Sequence, residues 1–123
     1  MMLAHYRRNL RLWLAGFRRL GELKYKPGWG PNRFLLLYAL DYGTHVVLWG
    51  GAVVSWSRFS YDERRRYGMA RLVNAVLNAF DRGHGAEAGP ALWGSEPAPS
   101  AEARIVRAFW AVVTVLVVAL IWS

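Results

Sequence analysis

The chain contains no cysteine, so neither a disulfide framework nor a thiolate metal site is open to it. That absence is compatible with the cytoplasm. Acidic residues are scarce, 8 against 16 lysines and arginines, which leaves a net charge of +8. Such a balance draws anionic partners, either lipid headgroups or nucleic acid, and charge alone does not choose between them. His5, His45 and His84 lack the His-x-x-x-His spacing of a zinc helix and read as ordinary histidines. No Gly-Lys-Ser/Thr follows Gly28, Gly30, Gly50 or Gly51, so none of them belongs to a phosphate-binding loop. A Gly-x-Ser-x-Gly elbow is missing too, which disfavours a Ser-His-Asp hydrolase. Arg7, Arg8, Arg11, Arg18 and Arg19 interrupt every early apolar run, and no signal peptide is expected there.

What the chain does have is apolar mass. Hydrophobic residues make up 54% of the 123 and charged residues 20%, which excludes disorder and leaves room for one domain. They are bunched in 34–56 and 105–122 instead of being spread in periodic stripes, the first sign of a membrane. The second block holds a single charge, Arg107, at its edge. About eighteen helical residues span roughly 27 Å, close to the thickness of a hydrocarbon core. Trp110 and Trp122 fall near its ends, where indoles favour the interface. A body this small cannot surround such a helix, so a transmembrane segment is expected at 105–122.

The rest is expected to be helical as well. In 2–23, Leu3, Tyr6, Leu10, Trp13, Phe17 and Leu20 share a face widened by Leu14, with the five arginines mostly off it. This fits a helix lying flat in a headgroup layer, and equally one packed on its own domain with arginines in water. Two prolines and two glycines break the chain within 24–32. An apolar helix over 33–49 then carries Asp41 and His45 on one face and closes at Gly50-Gly51. The cluster Arg64, Arg65, Arg66 in polar 57–67 reads as a solvated or lipid-facing surface. In 69–80, Met69, Leu72, Val73, Val76, Leu77 and Phe80 form the stripe of a second amphipathic helix. Residues 81–100 read as a linker without a packed element, after which Ser100 caps the last helix. The expectation is an all-α chain in three parts: a membrane-associated body, 1–80, a linker, 81–100, and a transmembrane helix, 101–123.

Block 34–56 is long enough to span a bilayer, but Asp41 at mid-helix costs roughly 2.5–3.5 kcal/mol there. Residues 1–33 carry eight basic side chains and 57–107 another eight. A crossing at 34–56 would therefore leave no preferred orientation, whereas a hairpin or in-plane helix puts every positive charge on the cytoplasmic face. One C-terminal span is favoured, with two spans as the alternative.

Five short motifs carry a family resemblance: Leu40-Asp41, Gly50-Gly51, Ser55-Trp56-Ser57-Arg58, Asn74-Ala75-Val76-Leu77 and Asp81-Arg82-Gly83-His84. In these the chain resembles a group of small proteins encoded by tailed phages and prophages. It departs from the group at Gly85, where cysteine is usual, at His45, where asparagine is, and in a turn one residue shorter. The resemblance implies a phage setting and a compact helical pair, and it implies no reaction. It singles out Asp41, Ser57, Arg58 and His84. A carboxylate sunk among apolar residues needs a partner, so Arg58 is expected to pair with Asp41, clasping the Gly50-Gly51 turn with His84 at the rim.

The function expected on these grounds is non-enzymatic and needs no cofactor. A phage-type protein in the inner membrane of a bacterial host would alter the envelope, as in exclusion of a second phage or timing of lysis. Its partners would be membrane lipids, met by Arg7, Arg8, Arg11, Arg18 and Arg19, and another membrane protein. The alternatives are an accessory subunit of a larger membrane complex and, less favoured, a basic nucleic-acid-binding module.

Overall fold

A computed structural model describes residues 3–22 and 30–123. The expected break at 24–32 lies mostly outside the described residues. The fold is all-α, with no strand among the described residues. Helix α1 (Ala4–Gly16) tightens into a 3-10 stretch, Phe17–Glu22. Helix α2 (Pro31–Leu37) starts with proline in its first turn, where a missing N–H costs nothing. It runs on through two wide π-helical stretches, Tyr38–Tyr42 and His45–Trp49, as one central helix, 31–49. Then follow α3 (Trp56–Asp62), α4 (Gly68–Phe80), the single turn α5 (His84–Glu87) and the long α6 (Ser100–Trp122).

The core forms where α1 crosses the central helix. Leu20, Phe34, Tyr38, Val46 and Val53 are buried there, with Trp13, Phe17 and Trp93 packed around them. Two glycines allow the close approach. A Cβ on Gly16 would stand 2.0 Å from the Tyr38 hydroxyl, and one on Gly43 would stand 2.4 Å from the Trp13 ring. The helices then exchange hydrogen bonds: Tyr38 Oη donates to the Trp13 carbonyl (2.5 Å) and Trp13 Nε1 to the Tyr38 carbonyl (3.3 Å). Helix α1 thus packs on its own body, and Arg7, Arg8, Arg11, Arg18 and Arg19 are all exposed. Asn9, absent from the expected apolar face, is its most buried side chain. Its Nδ2 donates to the carbonyls of Gly51 (3.2 Å) and Glu96 (2.6 Å), drawing three segments together.

At Gly50 the chain turns back. Its φ of 75° is left-handed and suits glycine, while Gly51 is required because the His45 ring fills its Cβ position at 2.1 Å. The returning strand of chain lays Trp56 against the helix it has just left: Trp56 N–H donates to Asp41 Oδ1 (2.7 Å) and Trp56 Nε1 to Thr44 Oγ1 (2.7 Å). Block 34–56 is therefore a reversal and not one straight helix, the hairpin form that the favoured reading allowed.

The expected division into three parts needs correction. Segment 81–100 is no detached linker. Leu92 N–H donates to the Val53 carbonyl (3.0 Å), Val53 N–H to the buried Ser95 hydroxyl (3.1 Å), and Trp93 packs on Tyr38. Nor does a boundary fall at residue 101, because Glu102, Ala103 and Val106 of α6 are buried in the body. Arg107 marks the exit, its guanidinium 3.7 Å from the Trp49 ring centroid and its Nε bonded to the Trp49 carbonyl (3.1 Å). Helix α4 forms where the second amphipathic helix was expected. Its apolar stripe faces outwards, with Met69 72% and Phe80 89% exposed and Leu72, Val73 and Val76 exposed between them. Ala70 and Asn74 are the residues it buries, against α3 and α5.

Candidate functional site

Two features of the surface stand out, a polar cleft and an uncovered apolar face. The cleft, of about 420 Å³, lies between the central helix, α3 and α5, within the size range of small-molecule sites. Phe34, Leu37 and Tyr42 give it an apolar side. Asp41, Ser55, Ser57, His84 and Glu87 supply polar groups, and among the described residues no lysine or arginine lines it.

Local sequence explains how its polar groups are aimed. Ser55 caps α3, its hydroxyl accepting from Arg58 N–H (3.2 Å), which places Ser57 in the first turn. After α4, Asp81 takes an extended conformation, Gly83 a left-handed one (φ 79°), and His84 N–H closes the turn on the Asp81 carbonyl (2.9 Å). That turn sets His84 Nδ1 3.0 Å from Asp81 Oδ2 and leaves Nε2 3.1 Å from Ser57 Oγ. A proton on Nδ1, shared with the carboxylate, makes Nε2 an acceptor for the Ser57 hydroxyl. A serine, a histidine and an aspartate are thereby connected in line.

Asp41 stands in the same cleft, half-buried. Burial raises its carboxyl above the usual range, opposed by the Trp56 N–H bond and by the charge of His84. The neighbouring Tyr42 hydroxyl is raised by burial and further by the Asp41 carboxylate.

Of the residues marked by sequence, Asp41, Ser57 and His84 therefore meet, but Arg58 does not join them. Its Nε pairs with Asp62 (3.1 Å) and its Nη1 donates to the carbonyls of Ala86 (2.9 Å) and Ala88 (3.3 Å). The expected Asp41–Arg58 pair is replaced by the Trp56 amide, which donates to the carboxylate. Gly50 and Gly51 line a different, smaller cleft beside Trp49, Arg66 and Arg107. Asp81 was overlooked, although its place three residues before His84 in a glycine turn was the signal that could have found it. The three histidines have separate partners. His5 lies 3.3 Å from Glu96 Oε1, buried His45 bonds the Ala52 carbonyl through Nδ1 (2.9 Å), and His84 serves the cleft. Among the described residues no group of three His, Asp or Glu side chains is placed to hold a metal ion.

The apolar face is the second feature. Beyond Arg107, α6 is bare, and it is the one helix among the described residues long and apolar enough to cross a membrane. Leu35, Leu36, Leu40 and Leu48 on the central helix are exposed with the α4 stripe, while Asn9, His45, Ser60, Asn74 and Glu102 are buried. The body is partly inside out. No family model, curated protein or solved structure matches the chain.

Proposed function

We propose that this is a membrane-anchored protein of phage or prophage type, held by α6 in the inner membrane of a bacterial host. Its body rests on the cytoplasmic leaflet and acts there on the envelope or on a membrane partner. The observation that carries the reading is the uncovered stretch of α6 after Arg107, which ends in Trp122 at 87% exposure. Water does not tolerate that much contiguous apolar surface on a monomer, whereas lipid does. The bare stripe of α4 supports a body in contact with the headgroup region. Tyr67, just before α4, packs on Trp49, which in turn holds Arg107, so α4 begins beside the point where α6 leaves the body. The arginines exposed on α1 suit an anionic leaflet. The phage setting rests on the motifs between residues 40 and 88.

Fractionation tests the anchor. The full chain should stay with membranes through carbonate extraction, and a chain ending at Arg107 should be released by salt or carbonate. Full-length protein that is soluble without detergent would overturn the reading. Orientation is tested by Gly89→Cys, an exposed position with free space at Cβ in a cysteine-free chain. It should resist an impermeant thiol reagent in intact cells and react once the membrane is opened. Labelling in intact cells would place the body outside.

A further inference from the structure

We propose that Ser57 is a nucleophile, activated by His84 and oriented through Asp81, that accepts acyl groups from an ammonium-bearing carboxylic ester bound in the cleft between the central helix, α3 and α5. The case rests on geometry. Ser57 Oγ to His84 Nε2 is 3.1 Å and His84 Nδ1 to Asp81 Oδ2 is 3.0 Å, the separations a base and its orienting carboxylate need. The groups come from α3, the start of α5 and the turn after α4, so a strand-to-helix elbow is not required to bring them together. Such constellations are recognised by geometry and role instead of sequence order. The histidine is partly exposed (27%), within reach of solvent water.

The cleft narrows the substrate class. With Asp41 and Glu87 in its walls and, among the described residues, no lysine or arginine lining it, it repels an anionic ester and favours a cationic one. Phe34 and Leu37 offer the acyl chain an apolar wall. In the reaction, Ser57 Oγ bonds to the carbonyl carbon as its proton passes to His84 Nε2. His84 returns that proton to the departing alkoxide, which leaves as the alcohol. Water then attacks the acyl-serine, giving its proton to His84, and the acid is released as Ser57 recovers the proton. Asp81 holds the imidazole tautomer through its hydrogen bond with Nδ1.

The test uses the full chain in detergent, which keeps it independent of the membrane reading, with a neutral fluorophosphonate as probe. Ser57 should gain the phosphonyl mass, and Ser57→Ala should abolish the adduct. Labelling should fall at least tenfold in His84→Gln and several-fold in Asp81→Asn. If His84→Gln does not fold, the wild-type Ser57 adduct and its several-fold loss in Asp81→Asn carry the test. A short-chain choline ester should protect Ser57, and a hemisuccinate ester should not. Absence of a Ser57 adduct, or a labelling rate left unchanged by both His84→Gln and Asp81→Asn, would overturn the proposal. Protection by the anionic ester alone would overturn the substrate class.

Discussion

Helices α1 and α4 are both thirteen residues long and both amphipathic, yet the fold uses them in opposite ways. In α1 the aromatic and leucine side is largely covered and the arginines face out. In α4 the covered side is the narrow one, Ala70 and Asn74, and the valines and leucines are left outside. The contrast has a steric origin. Gly16 and Gly43 let α1 sink onto the central helix until Tyr38 and Trp13 interlock, so large side chains can fill the seam. At α4 the neighbouring α5 holds Gly85 so close that an added Cβ would stand 2.7 Å from Asn74 Oδ1. Only small or slender residues fit there. Periodicity says which residues share a face, and neighbours decide what that face meets.

The contrast should break most violently at Gly16. Gly16→Val puts methyl groups where the Tyr38 hydroxyl and the Trp93 ring already lie, and overpacking on this scale should cost about 3 kcal/mol or more. Leu72→Ser on the bare side of α4 should stay within about 0.5 kcal/mol. Denaturation in detergent compares them directly, and similar costs would mean that the two faces are equally covered.

A nearly equal effect is expected from acid. His45 donates from Nδ1 to the Ala52 carbonyl, and its Nε2 is buried without a hydrogen-bond partner. Burial above all pushes its pKa down to about 4, from an ordinary value of 6.5. Between those values the unfolded chain binds a proton that the folded chain refuses. Stability should therefore be complete above about pH 6.5 and fall by about 3 kcal/mol towards pH 4. Replacing His45 with asparagine should flatten that slope, and an unchanged slope would assign it to other groups.

The bare side of α4 can be sharpened with the full chain in anionic liposomes. A polarity-sensitive dye on Val76→Cys should report apolar surroundings, and one on Arg71→Cys should report water. Each such side chain buried in lipid contributes about 1.5–3 kcal/mol. Water-like emission from position 76 would leave the stripe to a protein partner, as in the accessory-subunit alternative. The smallest effect belongs to the outer side of α1. Arg7→Gln and Arg11→Gln should each weaken attachment of a chain ending at Arg107 by about 1 kcal/mol, an effect that fades as salt is added. Salt-independent binding would refute an electrostatic contact.

The candidate site was half legible. Motif matching pointed to Asp41, Ser57 and His84, which do share a cleft. It also pointed to Arg58, which turned to Asp62 because a partner four residues along the same helix is nearer than one across a turn. Asp41 accepts instead from the Trp56 amide that the reversal at Gly50 delivers. Nothing in a one-dimensional pattern indicates that a backbone N–H will arrive from fifteen residues away.

By itself the sequence determined the all-α class, the break at Gly50 and the long apolar C-terminal helix. Each of these depends on local chemistry: helical period, a left-handed glycine, and a run with no polar face. Tertiary structure alone decided that α1 would be covered and α4 bare, that 81–100 would pack on Val53 and Tyr38, and that Asp81 would support His84. These outcomes depend on which surfaces approach closely enough to exclude water and exchange hydrogen bonds. That is a property of three-dimensional neighbours, set here by Gly16, Gly43 and Gly85, and no residue carries it alone.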